Sequence, residues 1–136
     1  MKLHGNSCFN LVKGSKTWQK AQDNCRSIGT QMGMEPGNIA TLADEATMTF
    51  IVDTLMYKPR ATWIGLTDVS SEGTWVWSDG TAYSYSNWAT LFNVAEPAGG
   101  VEQNCVTMAR LTGQWKDVRC TSKKWSVCQF PAVNEK

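Results

Sequence analysis

The sequence predicts an α+β domain, and three observations carry this expectation. Apolar residues recur at helical spacing twice before residue 60. Beyond it the pattern shortens to extended runs rich in Trp, Ile and Val. Five cysteines are split between the halves, with Cys8 and Cys25 early and Cys105, Cys120 and Cys128 late. Two helices followed by strands around a long loop is the order of an α+β fold. A chain of 136 residues is the size of one domain with one hydrophobic core. Residues 1–136 therefore read as a single unit, with no internal repeat and no interdomain linker.

Cys8 to Val12 reads as a short strand followed by a turn at Gly14-Ser15. Thr17 then stands where a helix N-cap is needed, because its hydroxyl can accept a hydrogen bond from an orphan first-turn N–H. Trp18, Ala21 and Cys25 follow at helical spacing on the inward face. Met32 to Gly37, with two glycines and Pro36, is a loop. A second helix is expected over Thr41 to Leu55: Leu42 opens it, Asp44 and Glu45 suit the positive end of its dipole, and Phe50, Ile51 and Leu55 form its apolar stripe. Pro59 follows its end. Thr62 to Leu66 and Thr74 to Trp77 read as strands, with Ser78-Asp79-Gly80 as a tight turn. Residues 81–104 read mostly as loop, and a loop that long inside a compact domain is usually functional or mobile. Cys105 to Met108 and Trp125 to Phe130 close the chain as strands.

Thirteen basic and twelve acidic residues leave a net charge of +1, so no bulk field favours nucleic acid or an anionic membrane. No apolar run approaches the roughly 20 residues of a bilayer span. Met1-Lys2-Leu3-His4 lacks the apolar core of a signal peptide, so an exported form is expected to have lost its signal. The cysteines show neither the Cys-x-x-Cys pairs nor the histidine partners of a zinc site. Disulfides are the better use for them, which places the protein in an oxidising compartment, secreted or extracellular. Four cysteines make two bridges and one is left over. Catalysis is not expected: the single histidine is His4, at an end expected to fray, and no Ser or Cys is set beside a base. Of seven tryptophans, Trp63, Trp75 and Trp77 read as core packing. Trp88 and Trp115, beside polar acceptors, are open to either core packing or stacking on a ligand ring.

Several motifs then fall in order: Trp63-Ile64-Gly65-Leu66, the stretch Glu72 to Gly80, Asn87-Trp88, Glu96-Pro97, Cys105-Val106, Trp115-x-Asp117, Cys120 and Cys128. With this set the chain resembles a C-type lectin-like domain, with a core at about residues 8–131. The resemblance implies two helices packed on short antiparallel sheets, a long ligand-binding loop, and bridges Cys25–Cys128 and Cys105–Cys120. Chain entropy gives about 4 to 5 kcal/mol for the long bridge and about 3 for the short one, before native strain is subtracted. Cys8 matches the second cysteine of an extra N-terminal pair of long-form members, whose partner position precedes Met1. It is read either as a buried or capped thiol or as the bridge of a homodimer.

In this family sugar binds through Ca²⁺, held by oxygen ligands that the sugar hydroxyls complete; such an ion needs about 6 to 8 oxygens. The resemblance places the sugar site at Glu96, Pro97, Ala98, Glu102, Gln103, Trp115, Lys116 and Asp117, with metal ligands Glu96, Gln103 and Asp117. The Glu-Pro-Asn mannose-type signature appears as Glu96-Pro97-Ala98, and Trp-Asn-Asp as Trp115-Lys116-Asp117. Two side-chain oxygens are lost and one ammonium is gained, so Ca²⁺ is expected to be weak or absent. Lys116 is either a stand-in cation for Glu96 and Asp117 or a solvated surface lysine. A second, weak metal site would use Asp68, Glu72 and Asn104, with Gly99 where a further acid is often found; turn chemistry is the simpler use of Glu72, and Asp68 is open to either role.

Three binding roles are compatible with these residues. The first is a lectin for glycans, mannose-type or microbial surface sugars, in an innate-immune setting, with weak or dispensable Ca²⁺. The second is a metal-independent lectin-like domain for a protein partner, and the third a structural or ice-binding use of the scaffold. Glu96-Pro97 and Asp117 favour the first.

Overall fold

The last strand is the spine of the fold. In the computed structural model, which describes residues 2–54, 61–91, 94–95, 104–109 and 112–131 (backbone only at 90, 91, 94 and 95), twelve elements follow one another. They are β1 (Lys2–His4), β2 (Ser7–Lys16), α1 (Trp18–Gln31), β3 (Asn38–Ile39), α2 (Glu45–Thr54), β4 (Thr62–Thr67), β5 (Val76–Trp77), β6 (Thr90–Leu91), β7 (Val94–Ala95), β8 (Cys105–Met108), β9 (Trp115–Val118) and β10 (Lys124–Pro131). An eight-stranded sheet runs β1-β2-β10-β4-β8-β9, with β3 added on β10 and β5 on β4. Because β10 has partners on both sides, Ser126, Val127, Cys128 and Phe130 are all buried, as a central strand requires. β10 pairs with β4 in parallel through Trp125↔Thr62 and Ser126↔Trp63, so the main sheet is mixed rather than purely antiparallel, and β6 and β7 pair apart from it as a short antiparallel sheet.

Thr17 caps α1 as expected, its hydroxyl accepting from Lys20 N–H at 3.4 Å. Ala21, Cys25 and Gly29, spaced four apart, turn one face of α1 to the sheet, with Gln22 beside them. Gln22 anchors that face: its Oε1 accepts from Ile39 N–H at 2.9 Å and its Nε2 donates to Asn38 at 2.6 Å. The helix stops at Gly33, whose φ of 71° only glycine adopts without cost, and Met34 N–H returns to Gly29 O at 2.8 Å. Both expected disulfides are formed, Cys25–Cys128 across 103 residues and Cys105–Cys120 across 15. The long bridge lies in a cluster with Ala21, Ile39, Trp63 and Phe130 and joins α1 to the spine. A second cluster of Leu42, Ile51, Ile64, Leu66, Trp77, Val106, Met108 and Trp115 fills the space under α2 and the loop-bearing half.

Several expected boundaries move. α2 begins at Glu45 rather than Thr41, because Asp44 Oδ1 accepts from Thr47 N–H at 2.7 Å and is itself the cap. Ahead of it the chain is held extended, Ala40 N–H donating to Val127 O at 2.8 Å and Thr41 N–H to Gln129 Oε1 at 2.8 Å. Leu42 is therefore core but not helix. The apolar stripe is Met48 and Ile51, with Phe50 half-buried; Leu55 and Pro59 lie outside the described residues. Gly14-Ser15 lies inside β2 and is no chain reversal. Residues 2–4 are not frayed: β1 pairs with β2 through Lys2↔Phe9 and His4↔Ser7, and His4 packs on Phe50 at 4.7 Å. Thr74 and Trp75 precede the short β5, while β3, β9 and the β6–β7 hairpin are strands where none was expected. All are two to four residues long, too short for a period-2 pattern to be read.

Candidate functional site

β9 carries the Trp115-Lys116-Asp117 motif to the sheet edge, paired with β8 through Val106↔Asp117 and Met108↔Trp115. Strand geometry sends neighbouring side chains to opposite faces. Trp115 and Asp117 accordingly turn inward, at 0% and 1% exposure, and Lys116 turns out to solvent. The strand thus directs the Lys116 ammonium away from the side on which the Asp117 carboxylate is buried.

The other acids arrive from the end of β4. Asp68 N–H donates to Asn104 O at 3.1 Å, which fixes the start of the β4–β5 connection against the residue before β8. The Asp68 side chain is buried at 1% exposure; its Oδ2 accepts from Gly73 N–H at 2.8 Å and so shapes the turn holding Glu72. Asp68 Oδ1 is buried with no hydrogen-bond donor among the described residues. Glu72 is exposed on that turn, yet its carboxyl is held above the usual carboxylate range. Neighbours strip part of its water, its neutral form hydrogen-bonds Asp68, and the charges of Asp68 and Asp117 disfavour its own. The turn use of Asp68 is therefore real, but it leaves one oxygen over, and three carboxylates feel one another.

A divalent cation suits this chemistry. A buried acceptor without a donor, and a Glu72 carboxyl raised first by loss of water and then by Asp68 and Asp117, both favour a positive ion nearby. Among the described residues no three His, Cys, Asp or Glu side chains converge closely enough to form a complete cage. An ion beside Asp68 and Glu72 would take further oxygens from Asn104, backbone carbonyls or water. Glu96, Pro97, Ala98, Gly99, Glu102 and Gln103 lie outside the described residues.

Aromatic rings support the face from beneath. Trp115 meets Trp77 edge-on at 5.5 Å, Tyr85 at 5.8 Å and Trp88 at 5.7 Å. Its burial corrects its assignment as a sugar-contacting residue: an indole enclosed by three rings presents no face to a ligand. Trp88 is half-buried, tilted against Trp75 at 5.0 Å, and donates its indole N–H to Tyr83 Oη at 2.9 Å. The Asn87-Trp88 motif ties the loop to the sheet: Trp115 N–H donates to Asn87 O at 2.8 Å, Ala89 N–H to Trp115 O at 2.9 Å, and Asn87 Nδ2 to Gly113 O at 2.9 Å. The sequence flagged Asn87 only as part of a motif. Its tether to Gly113 joins residues 26 apart, a separation that no local pattern reports.

Comparison with known proteins agrees with this architecture. The profile of the Lectin C-type domain matches residues 14–130. The chain is 36% identical over 131 residues to the low affinity immunoglobulin epsilon Fc receptor of Mus musculus, covering 94% of this chain and 35% of the receptor. It is 33% identical over 128 residues to tetranectin of Bos taurus, covering 93% of this chain and 60% of that protein. It thus spans between about a third and three fifths of these two relatives. Among solved structures, the cow C-type carbohydrate-recognition domain of CD23, crystallised in the presence of GlcNAc2Man3 oligosaccharide, superposes with a TM-score of 0.81 at 28% identity, covering 96% of this chain and 92% of that one.

Proposed function

The chain belongs to the C-type lectin domain family, and from that premise we propose that it is a secreted glycan-binding module that takes mannose-type or microbial surface sugars on its loop face with weak or dispensable Ca²⁺. The observation that carries this reading is the placement of Asp117, buried on β9 within electrostatic reach of the Asp68–Glu72 turn. Carboxylates held there suit a shared cation and the hydroxyls of a sugar. Glu96, Pro97, Ala98, Glu102, Gln103 and Lys116 complete the proposed sugar contacts, with Glu96, Gln103 and Asp117 as ligands of one ion and Asp68, Glu72 and Asn104 as ligands of the other. Bound Ca²⁺ would supply Lewis-acid anchoring of vicinal hydroxyls. Ala98 brings no side-chain oxygen and Lys116 no acceptor, which is why the ion is proposed to be weak. Catalysis has no part in this reading, and the family is one of binding proteins. Neither nucleic acid nor a membrane is proposed as a partner, and no helix among the described residues is long and apolar enough to cross a membrane. A glycan array read with Ca²⁺ and again with chelator tests the proposal. Signal on mannose-type or microbial glycans supports it, and no glycan signal in either condition overturns it.

A protein partner is the second reading. It is favoured by the same two replacements, Ala98 and Lys116, and by kinship with a receptor named for immunoglobulin epsilon. An array that is blank in both conditions, together with saturable binding of an extracellular protein competed by loop-face variants, selects it.

A further inference from the structure

β2 and β10 pair in register except at one place. Lys124 faces Lys16 and Ser126 faces Val12, so Lys13, Gly14 and Ser15 stand opposite Trp125 alone. The extra length is a bulge, made possible by Gly14 at a φ of 127°, where a side chain would be strained. Beside it opens a recess of about 150 Å³ lined by Ser15, Ala61, Lys123, Lys124 and Trp125. Its volume is well below the ~300–1,000 Å³ of a small-molecule pocket. It has room for one group of a longer ligand rather than for a whole one.

The two stretches that supply most of this lining carry positive charge only. Residues 13–20 supply Lys13, Lys16 and Lys20, residues 119–124 supply Arg119, Lys123 and Lys124, and neither stretch contains Asp or Glu. Trp18 N–H donates to Cys120 O at 3.0 Å, which joins the two stretches across a hundred residues of chain. Trp63 Nε1 donates to Lys16 O at 2.8 Å and pins the backbone between them to the core. α1 starts here with no acidic residue in its first turn, so its positive dipole end adds to the field. Lys16 directly opposite Lys124 is a like-charge cross-strand pair, which destabilises a sheet. Local rules broken without a structural gain mark functional positions.

We infer that this bulge is a second binding site, for a sulfated polysaccharide, with one sulfate seated in the recess and neighbouring sulfates held by Lys16, Lys123 and Lys124. The two disulfides belong to an oxidising compartment, where the polyanions a protein meets are sulfated sugars rather than nucleic acid. The site shares no residue with Asp68, Glu72 and Asp117 and needs no calcium, so it stands or falls independently of the loop-face proposal.

Calorimetric titration with a heparin octasaccharide, in EDTA to silence calcium-dependent sugar binding, tests it against a desulfated octasaccharide and a single-stranded oligonucleotide of equal charge. Sulfated sugar is expected to bind, weakening as salt rises, and the triple variant Lys16→Ser, Lys123→Ser, Lys124→Ser to lose about tenfold or more in affinity. Lys124→Glu alone should also weaken binding while melting at or above the wild-type temperature, since it removes the like-charge pair; this separates loss of site from loss of fold. Lys2→Ser, on β1, should bind as wild type. Unchanged affinity in the triple variant overturns the inference. So does equal binding of the desulfated chain, and so does oligonucleotide binding as tight as that of the octasaccharide.

Discussion

Replacing Trp115 by Phe separates a structural role from a ligand-contacting one. Trp115 is fully buried, and three rings meet its indole between 5.5 and 5.8 Å. Removing a buried Trp altogether costs about 3–5 kcal/mol, a large part of the roughly 5–15 kcal/mol that holds a domain folded. Phe keeps one ring and leaves a smaller gap, so the expected loss is about 1–3 kcal/mol. For a chain of 136 residues that is a fall in Tm of roughly 4–12 °C. Differential scanning calorimetry reads the fall, and glycan titration on the folded variant at 15 °C should give a wild-type Kd. If Tm holds and glycan affinity drops tenfold, the indole faces a ligand and the reasoning is wrong. Trp88→Ala is the companion, with a smaller stability cost because Trp88 is already half-exposed.

Hydrogen bonds from the Thr47 backbone N–H and then its side chain, with a smaller contribution from His4, hold the Asp44 carboxyl below its ordinary value. A depressed carboxylate stabilises above its unfolded pKa of about 3.9 and loses that contribution as pH falls through the folded value, so Asp44→Ala should cost about 1 kcal/mol at pH 7 and progressively less below about pH 4; urea melts across pH check it. Ala98→Asn with Lys116→Asn returns an amide oxygen to the loop and removes an ammonium next to Asp117 in sequence, so Ca²⁺ titration should show tighter binding and mannose binding should follow; an unchanged isotherm would mean that loop geometry, or the outward direction of position 116, sets the affinity. If half-buried Cys8 bridges two copies, a non-reducing gel shows a dimer that reductant and Cys8→Ser both abolish, whereas a wholly monomeric wild type excludes it. Cys105→Ala with Cys120→Ala should cost about 3 kcal/mol, and hydrogen exchange should rise in β8 and in residues 119–122 together.

What the sequence revealed follows from how local each cause is. The Thr17 cap, the inward Ala21 and Cys25, and the β4 run are set by neighbours within a turn or a strand, and they appear as expected. The start of α2 misled because Leu42 is apolar for a non-local reason: Gln129 and Val127 on β10 hold the preceding segment extended. The strand at β9 was missed although its motif was recognised, since four residues give no readable period. The same shortness hid the fact that Lys116 and Asp117 leave opposite sides of the chain. Trp115 was ambiguous because burial depends on Trp77, Tyr85 and Trp88, which reach it from three separate segments. Gly14-Ser15 carried a true signal of irregular backbone, but whether such a pair reverses a chain or bulges a strand depends on the partner strand, and β10 lies more than a hundred residues on.

The short disulfide accounts for two faces of opposite charge on a chain whose net charge is +1. Cys105 opens β8 directly after Asn104, whose carbonyl holds Asp68. Cys120 lies past the end of β9, and its own carbonyl holds the first N–H of α1. One bridge therefore fixes the acidic turn and the basic turn to the same pair of strands, so neither can drift while β8 and β9 stay paired. The strain, Glu72 against Asp68 and Asp117 on one side and Lys16 against Lys124 on the other, is of the kind that a bound cation and a bound anion respectively relieve.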